Sequence, residues 1–122
     1  MKENPFENPK SPEKKNDEYP KLIRDGIPEI IEKDTGQKPE TRILDDEEFK
    51  GYLLKKMAEE AAELQDAKDK EHLAEEMADI LELIDEILAV NGLNLGEIRK
   101  VQKEKAEKRG GFKKRILMLK KD

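Results

Sequence analysis

The chain has 122 residues, which is the length of a single domain. Its hydrophobic fraction is 34% and its charged fraction is 45%, so the core is thin and we expect a homodimer or homotetramer that buries more surface than one chain can. The absence of cysteine excludes disulfides, thiolate metal sites and cysteine nucleophiles. No apolar run reaches the length of a signal segment or a membrane span, so the sequence predicts a soluble cytoplasmic protein.

The net charge of -5 is unevenly distributed. Residues 59–86 contain twelve acids and two lysines, whereas residues 99–122 contain eleven bases and three acids. An acidic centre followed by a basic C-terminal quarter is what a site for a metal–polyphosphate complex needs. The alternative is two solvated charged faces, and the charge distribution alone would favour it. We expect neither a nucleic-acid nor a membrane partner.

Capping and breaking residues predict the order of the elements. Residues 1–18 are poor in apolar side chains and predict a disordered tail, so residues 19–122 form the single domain. Capping signals then predict an all-α bundle with one short helix and three long ones. These helices are bounded by Pro28 and Gly36, by Asp45 or Asp46 and Ala67, by Asp69 and Asn91, and by Asn94 and Gly110. Residues 41–44 (TRIL) are a brief extended candidate, and residues 115–119 (RILML) are a short strand candidate that could form a minor two-stranded β pairing with them.

Two similar acidic stretches, residues 59–64 (EEAAEL) and residues 75–80 (EEMADI), lie on consecutive predicted helices. In each, two acids three residues apart share one helix face. The pairs are Glu60 with Glu63 and Glu76 with Asp79. On a helical wheel Glu60 borders the apolar stripe and Glu76 intrudes on it, whereas Glu59 faces away and is expected to be solvated. Antiparallel packing of the two helices would bring all four paired acids to one spot.

Four neighbouring buried carboxylates would be costly without compensation, and hard divalent cations such as Mg²⁺ supply it. Di-iron and di-manganese bundles instead use repeated Glu-x-x-His pairs. The only histidine here is His72, three residues after Asp69, so that pattern is not doubled. We expect His72 to be a partly exposed residue at a helix start. The remaining alternative is an exposed acidic face, since E-x-x-E spacing arises easily in a Glu-rich helix.

The sequence lacks a phosphate-binding P-loop, a nucleophile elbow and a dinucleotide fingerprint. An enzyme that handles phosphates would therefore depend on metal ions, helix ends and basic side chains. The last predicted helix offers such side chains, because Lys105 and Arg109 continue the stripe formed by Leu95, Ile98 and Val101.

Three motifs resemble one enzyme family. The motifs are Lys21-Leu22-Ile23-Arg24-Asp25 with Ile27-Pro28-Glu29-Ile30-Ile31, the doubled acidic motif, and Lys105-x-x-x-Arg109-Gly110-Gly111-Phe112. Together they resemble the all-α nucleotide pyrophosphohydrolases of the MazG type, and more narrowly their phosphoribosyl-ATP pyrophosphohydrolase-like relatives. The resemblance runs from about Tyr19 to Phe112. Gly26 departs from it, since relatives often have a lysine there.

The resemblance implies a Mg²⁺-dependent enzyme, with Mn²⁺ as a substitute, that cleaves a nucleoside triphosphate between the α and β phosphates. The products would be a nucleoside monophosphate and pyrophosphate. It implies that Glu60, Glu63, Glu76 and Asp79 hold the metal. Glu63 would also help to deprotonate the attacking water, and the substrate would contact Lys21, Arg24, Asp25, Lys105 and Arg109. Two alternatives stay open: a non-enzymatic helical interaction module, and a hydrolase of the same fold acting on a noncanonical or biosynthetic nucleotide.

Overall fold

The computed structural model describes residues 19–122, so the predicted tail at residues 1–18 lies outside the described residues. The described chain folds into four α-helices and no strands. They are α1 (Ile27–Thr35), α2 (Asp46–Gln65), α3 (Lys70–Val90) and α4 (Leu95–Arg109). The predicted all-α class, with one short and three long helices, is confirmed. Within this part of the chain no helix combines the length and the apolar character needed to span a bilayer.

The helices that carry the acidic motifs begin at side-chain caps. The Asp45 carboxylate accepts a hydrogen bond from the Glu48 N–H at 2.8 Å, and Glu48 in turn accepts one from the Asp45 N–H. Asp69 caps α3 by accepting from the His72 N–H at 2.8 Å. Such caps satisfy backbone donors that the first helical turn leaves unpaired, so they fix where each helix begins and which face its acids occupy.

Helices α2 and α3 form an antiparallel hairpin, which is the only extensive helix–helix packing among residues 19–122. The four residues 66–69 connect them, a length typical of antiparallel neighbours. Leu53 on α2 and Leu88 on α3 are the buried apolar side chains of the described chain. So small a core agrees with the low hydrophobic fraction of the sequence.

Much of the apolar surface of the helices remains uncovered. Leu73, Met77 and Leu81 lie on α3, and Leu81 is 59% exposed. Every residue of α4 is exposed as well. The apolar set predicted for α3 covers about half of a helical wheel, which is wider than one neighbouring helix can bury. The hairpin covers one side of this set and leaves the other side open.

The predicted β pairing of residues 41–44 with residues 115–119 is wrong. Neither segment has strand structure, and no backbone hydrogen bond joins them. Ile43 and Ile116 are both largely exposed. The physical reason is the position of α4, which precedes the C-terminal segment and does not pack extensively on the hairpin. The C-terminal segment is therefore not placed next to residues 41–44.

Candidate metal centre

The hairpin geometry places Glu60 and Glu76 opposite each other. Glu60 lies five residues before the end of α2 at Gln65, and Glu76 lies six residues after the start of α3 at Lys70. Since each helical residue adds about 1.5 Å of rise, the two acids sit at nearly the same distance from the connection. Both belong to the face between the helices, as the wheel positions predicted.

Glu60, Glu63 and Glu76 converge. Each offers a carboxylate oxygen, and these oxygens all lie within 4.8 Å of one another. Glu60 is 8% exposed and Glu76 is 5% exposed, while Glu63 is half-buried. We call these three residues the acid cluster. It contains three of the four acids that were predicted to meet.

Two oxygens of the acid cluster are buried without a hydrogen-bond partner, Oε1 of Glu60 and Oε1 of Glu76. A buried polar atom without a partner costs about 1–3 kcal/mol, and more when it is charged. A cation coordinated by several of these carboxylate oxygens would remove this cost. An all-carboxylate set is the donor chemistry that Mg²⁺, Mn²⁺ and Ca²⁺ prefer, so the residues present fit the predicted metal.

Electrostatics in the acid cluster favour a bound positive charge. Burial, followed by a hydrogen bond to Glu76 and by the negative charges of Glu63 and Asp79, raises the pKa of Glu60 from 4.5 to about 8. Without a cation, Glu60 therefore keeps its proton at neutral pH. A divalent cation would act in the opposite direction, because a nearby positive charge favours the ionised carboxylate.

Asp79 lies near the acid cluster but has a different partner. Its Oδ1 accepts a hydrogen bond of 2.6 Å from Nη2 of Arg24, in the segment before α1. Asp79 is three residues beyond Glu76, which places it about 4.5 Å farther from the connection. The sequence predicts Asp79 as a metal ligand and Arg24 as a substrate contact. No local pattern predicts the contact between them, because the two residues are 55 positions apart.

His72 is a partly exposed residue in the first turn of α3, as predicted, and it lies next to the acid cluster. Its Nε2 lies 3.4 Å from Oε2 of Glu76, one helical turn along α3, and its side chain is 31% exposed. The spacing of four residues is the signal for this contact. Glu59, expected to be solvated, is half-buried, and its Oε1 lies 3.9 Å from Nζ of Lys56.

A cleft of about 640 Å³ opens beside the acid cluster. It runs between the segment at residues 22–27 and the two helices of the hairpin. This volume lies within the range of small-molecule sites in proteins, roughly 300–1,000 Å³. The polar lining includes Arg24, Asp25, Lys56, Glu60 and Asp79, and the apolar lining includes Leu22, Ile27, Ile30, Phe49, Leu53 and Leu83.

The remaining predicted cations lie elsewhere. Lys21 is half-buried, with its ammonium 5.2 Å from the centre of the Tyr19 ring. Lys105 and Arg109 are exposed on α4. Because α4 packs only slightly on the rest of the described chain, a single copy does not bury these two cations beside the acid cluster.

Residues 26–105 match the family model described as phosphoribosyl-ATP pyrophosphohydrolase. The match covers more than half of the chain and includes all four predicted metal ligands and Lys105. Lys21, Arg24, Asp25 and Arg109 lie outside it. Comparison with curated proteins and with solved structures gave no match.

Proposed function

The chain belongs to the phosphoribosyl-ATP pyrophosphohydrolase family, and on this premise we propose a Mg²⁺-dependent nucleoside triphosphate pyrophosphohydrolase that cleaves between the α and β phosphates. The products are a nucleoside monophosphate and pyrophosphate. Membership of the family implies a pyrophosphohydrolase type of activity. The observation that carries the proposal is the acid cluster, in which two buried carboxylate oxygens lack a partner.

In this proposal Glu60, Glu63, Glu76 and Asp79 hold the cation. Bound Mg²⁺ would polarise the phosphoryl group that is attacked. Glu63 is the acid-cluster member that is not fully buried, so water reaches its carboxylate most readily. We assign to Glu63 the further role of accepting a proton from the attacking water.

The substrate occupies the cleft in this proposal. Arg24 and Asp25 line it, so a guanidinium is available for phosphate oxygens and a carboxylate for hydrogen-bond donors of the nucleotide. A guanidinium is suited to this task because its planar fork matches phosphate geometry. Lys21, three residues before Arg24, adds a second positive charge to the same segment. The apolar lining around Phe49 offers a surface for the base.

We propose that the protein works as a homodimer or homotetramer. The open apolar residues of α3 and α4 would be covered by a neighbouring copy, which supplies the burial that one thin core lacks. In such an assembly α4 can bring Lys105 and Arg109 to the cleft of a neighbour. Both residues would then neutralise phosphate charge at a site that belongs to another copy.

A second candidate substrate follows from the description of the family, which names phosphoribosyl-ATP. This nucleotide would be cleaved at the same bond by the same acids, so the two candidates differ only in what fills the cleft. A panel of ribo- and deoxyribonucleoside triphosphates together with phosphoribosyl-ATP, compared by kcat/KM, decides between them.

The proposal is tested with paired variants of neighbouring acids. Glu60→Gln and Glu76→Gln remove ligands, whereas Glu59→Gln and Glu75→Gln remove the adjacent acids that lie outside the acid cluster. We expect the first pair to lower kcat/KM by at least about a hundredfold, since losing even an outer-shell partner of a metal ligand typically costs 10- to 100-fold. The control pair should stay within about threefold of wild type.

Metal binding supplies the independent arm of this test. Isothermal titration with Mg²⁺ or Mn²⁺ should show binding by the wild type and its loss in Glu60→Gln. A wild-type protein that binds neither cation, and whose melting is unchanged by them, would remove the enzyme proposal. That outcome would favour a helical interaction module with solvated acids.

A further inference from the structure

The structure gives Asp79 a partner that competes with metal. Arg24 holds it through a short hydrogen bond between opposite charges, whereas the other three predicted ligands converge on one another. The pair joins opposite charges, so Asp79 is freed only when the guanidinium moves away from it. Asp79 therefore has two alternative uses, as the partner of Arg24 or as a ligand.

We propose that Arg24 acts as a latch that keeps Asp79 out of the metal site, and that a divalent cation releases it by taking Asp79 as its fourth carboxylate ligand. This inference rests on the proposed function. It does not follow from the family match, because Arg24 lies outside residues 26–105.

The energetics allow this exchange. The Arg24 side chain is 55% exposed, and an exposed ion pair contributes little because water and salt screen it. Asp79 is half-buried and lies close enough to the acid cluster for its charge to act on Glu60. As a ligand, Asp79 would contact a doubly charged ion directly, whereas Arg24 offers it one hydrogen bond from a partly solvated guanidinium.

The exchange requires only a side-chain movement. The backbone around Arg24 is held in place, because its carbonyl accepts a hydrogen bond of 3.0 Å from the Ile27 N–H at the start of α1. Leu22 and Ile23 beside it are half-buried. The guanidinium can therefore rotate off Asp79 while the segment stays against the hairpin.

The released guanidinium would stay in the cleft, which Arg24 lines together with Asp79 and Glu60. There it faces the position proposed for the phosphates and can bind their oxygens with its planar fork. Loading of the metal and capture of the substrate are thereby coupled. Asp79 would become a ligand of the cation, and Arg24 would become free to bind the nucleotide.

An opposite role for Arg24 makes the inference testable. Metal-binding carboxylates are often oriented by hydrogen bonds from outer residues, and removing such a partner weakens metal binding by about 10- to 100-fold. A latch predicts the reverse sign. Removing Arg24 should strengthen metal binding, because Asp79 no longer has to leave a competing partner.

The experiment is isothermal titration of the full chain with Mn²⁺, comparing wild type, Arg24→Gln, Arg24→Lys and Lys56→Gln. We expect Arg24→Gln to lower the Mn²⁺ Kd by about three- to tenfold, the range set by an exposed ion pair plus the loss of one repelling charge. Arg24→Lys should fall between this variant and wild type. Lys56→Gln removes another cation of the cleft, one paired with Glu59, and should change the Kd by less than about twofold.

Each result decides the matter. A higher or unchanged Kd in Arg24→Gln overturns the latch, and so does an equal gain in Lys56→Gln, which would reflect general electrostatics. In these cases wild-type binding of Mn²⁺ leaves the proposed function standing. A wild type that binds no Mn²⁺ overturns the proposed function and the latch together. The latch also predicts a raised KM for the nucleotide in Arg24→Gln, opposite in sense to its gain in metal affinity.

Discussion

Ionisation of Glu60 should make the metal-free protein lose stability as the pH rises. The pKa of this buried carboxyl is raised to about 8 in the fold, from 4.5 in its ordinary state. Below pH 4.5 the group is protonated in both the folded and the unfolded protein, so its ionisation does not change the free energy of unfolding. Between pH 4.5 and 8 the unfolded chain releases the proton while the folded chain retains it, so the free energy of unfolding falls. Above pH 8 the loss is complete.

The magnitude follows from the two pKa values. One pKa unit corresponds to about 1.36 kcal/mol, so full ionisation of Glu60 in the fold costs on the order of 5 kcal/mol. Domains of this size are stable by about 5–15 kcal/mol, so the loss is a large share of the total. Glu48 acts in the opposite sense, because its hydrogen bond from Arg42 lowers its pKa and that contribution is lost as the pH falls below the ordinary range of a carboxyl. Maximum stability of the metal-free protein should therefore lie near pH 5.

The assay is urea unfolding from pH 5 to pH 8 with a chelator, at one protein concentration because assembly would shift the apparent stability. Glu60→Gln is the comparison, since glutamine keeps the shape and cannot ionise. The wild type should lose stability across this range and Glu60→Gln should not. A wild type whose stability is flat or rising, or a variant that keeps the full decline, would contradict the role assigned to Glu60.

Three further predictions follow from the same structure. Stabilisation by Mg²⁺, measured as the shift in melting temperature, should be larger at pH 8 than at pH 6, because at pH 6 the cation must displace the proton of Glu60; equal shifts would contradict this. Gly26→Lys should fold normally, because Gly26 has a φ of -85° and nothing lies within 4 Å of an added Cβ. It should lower KM for the nucleotide more than Gly26→Gln does. An equal KM in the two variants would show that the added charge does not reach the phosphates. Leu81→Glu should shift the protein to a monomer in light scattering, because Leu81 belongs to the open apolar face. Asp85→Ala should leave the mass unchanged. An unchanged mass in Leu81→Glu would place the interface elsewhere.

The helices could be predicted from the sequence because their ends are set by local residues. Asp45, Asp69 and Asn94 act as N-caps where predicted, and Gly36 ends α1 in the left-handed conformation. These signals involve neighbours within a few positions, which a single sequence displays in full.

The pairing of the two acidic stretches could also be predicted, since helical periodicity fixes which acid of each stretch turns inward. Glu60 and Glu76 are buried as their wheel positions indicated. The wheel gives direction but not height along the helix. It therefore does not show that Asp79 lies one turn farther along, beside Arg24, and the role of Asp79 as a metal ligand stays a prediction.

Contacts between segments far apart in the chain could not be predicted from the sequence. The Arg24–Asp79 pair depends on how the segment before α1 crosses the hairpin. The β pairing of residues 41–44 with residues 115–119 is wrong because it depends on how α4 packs on the hairpin, which nothing in the sequence shows. How Lys105 and Arg109 meet the substrate depends on a neighbouring copy, which stays a prediction.

We propose that the acid cluster is the metal centre of an enzyme that cuts between the α and β phosphates. The decisive experiment is ³¹P NMR of the preferred nucleotide of the panel with Mg²⁺, comparing wild type with Glu76→Gln at equal concentration. We expect the wild type to form pyrophosphate and the nucleoside monophosphate in equal amounts, and the variant and a chelated sample to form neither. Release of orthophosphate with a nucleoside diphosphate, or equal turnover by Glu76→Gln, would contradict it.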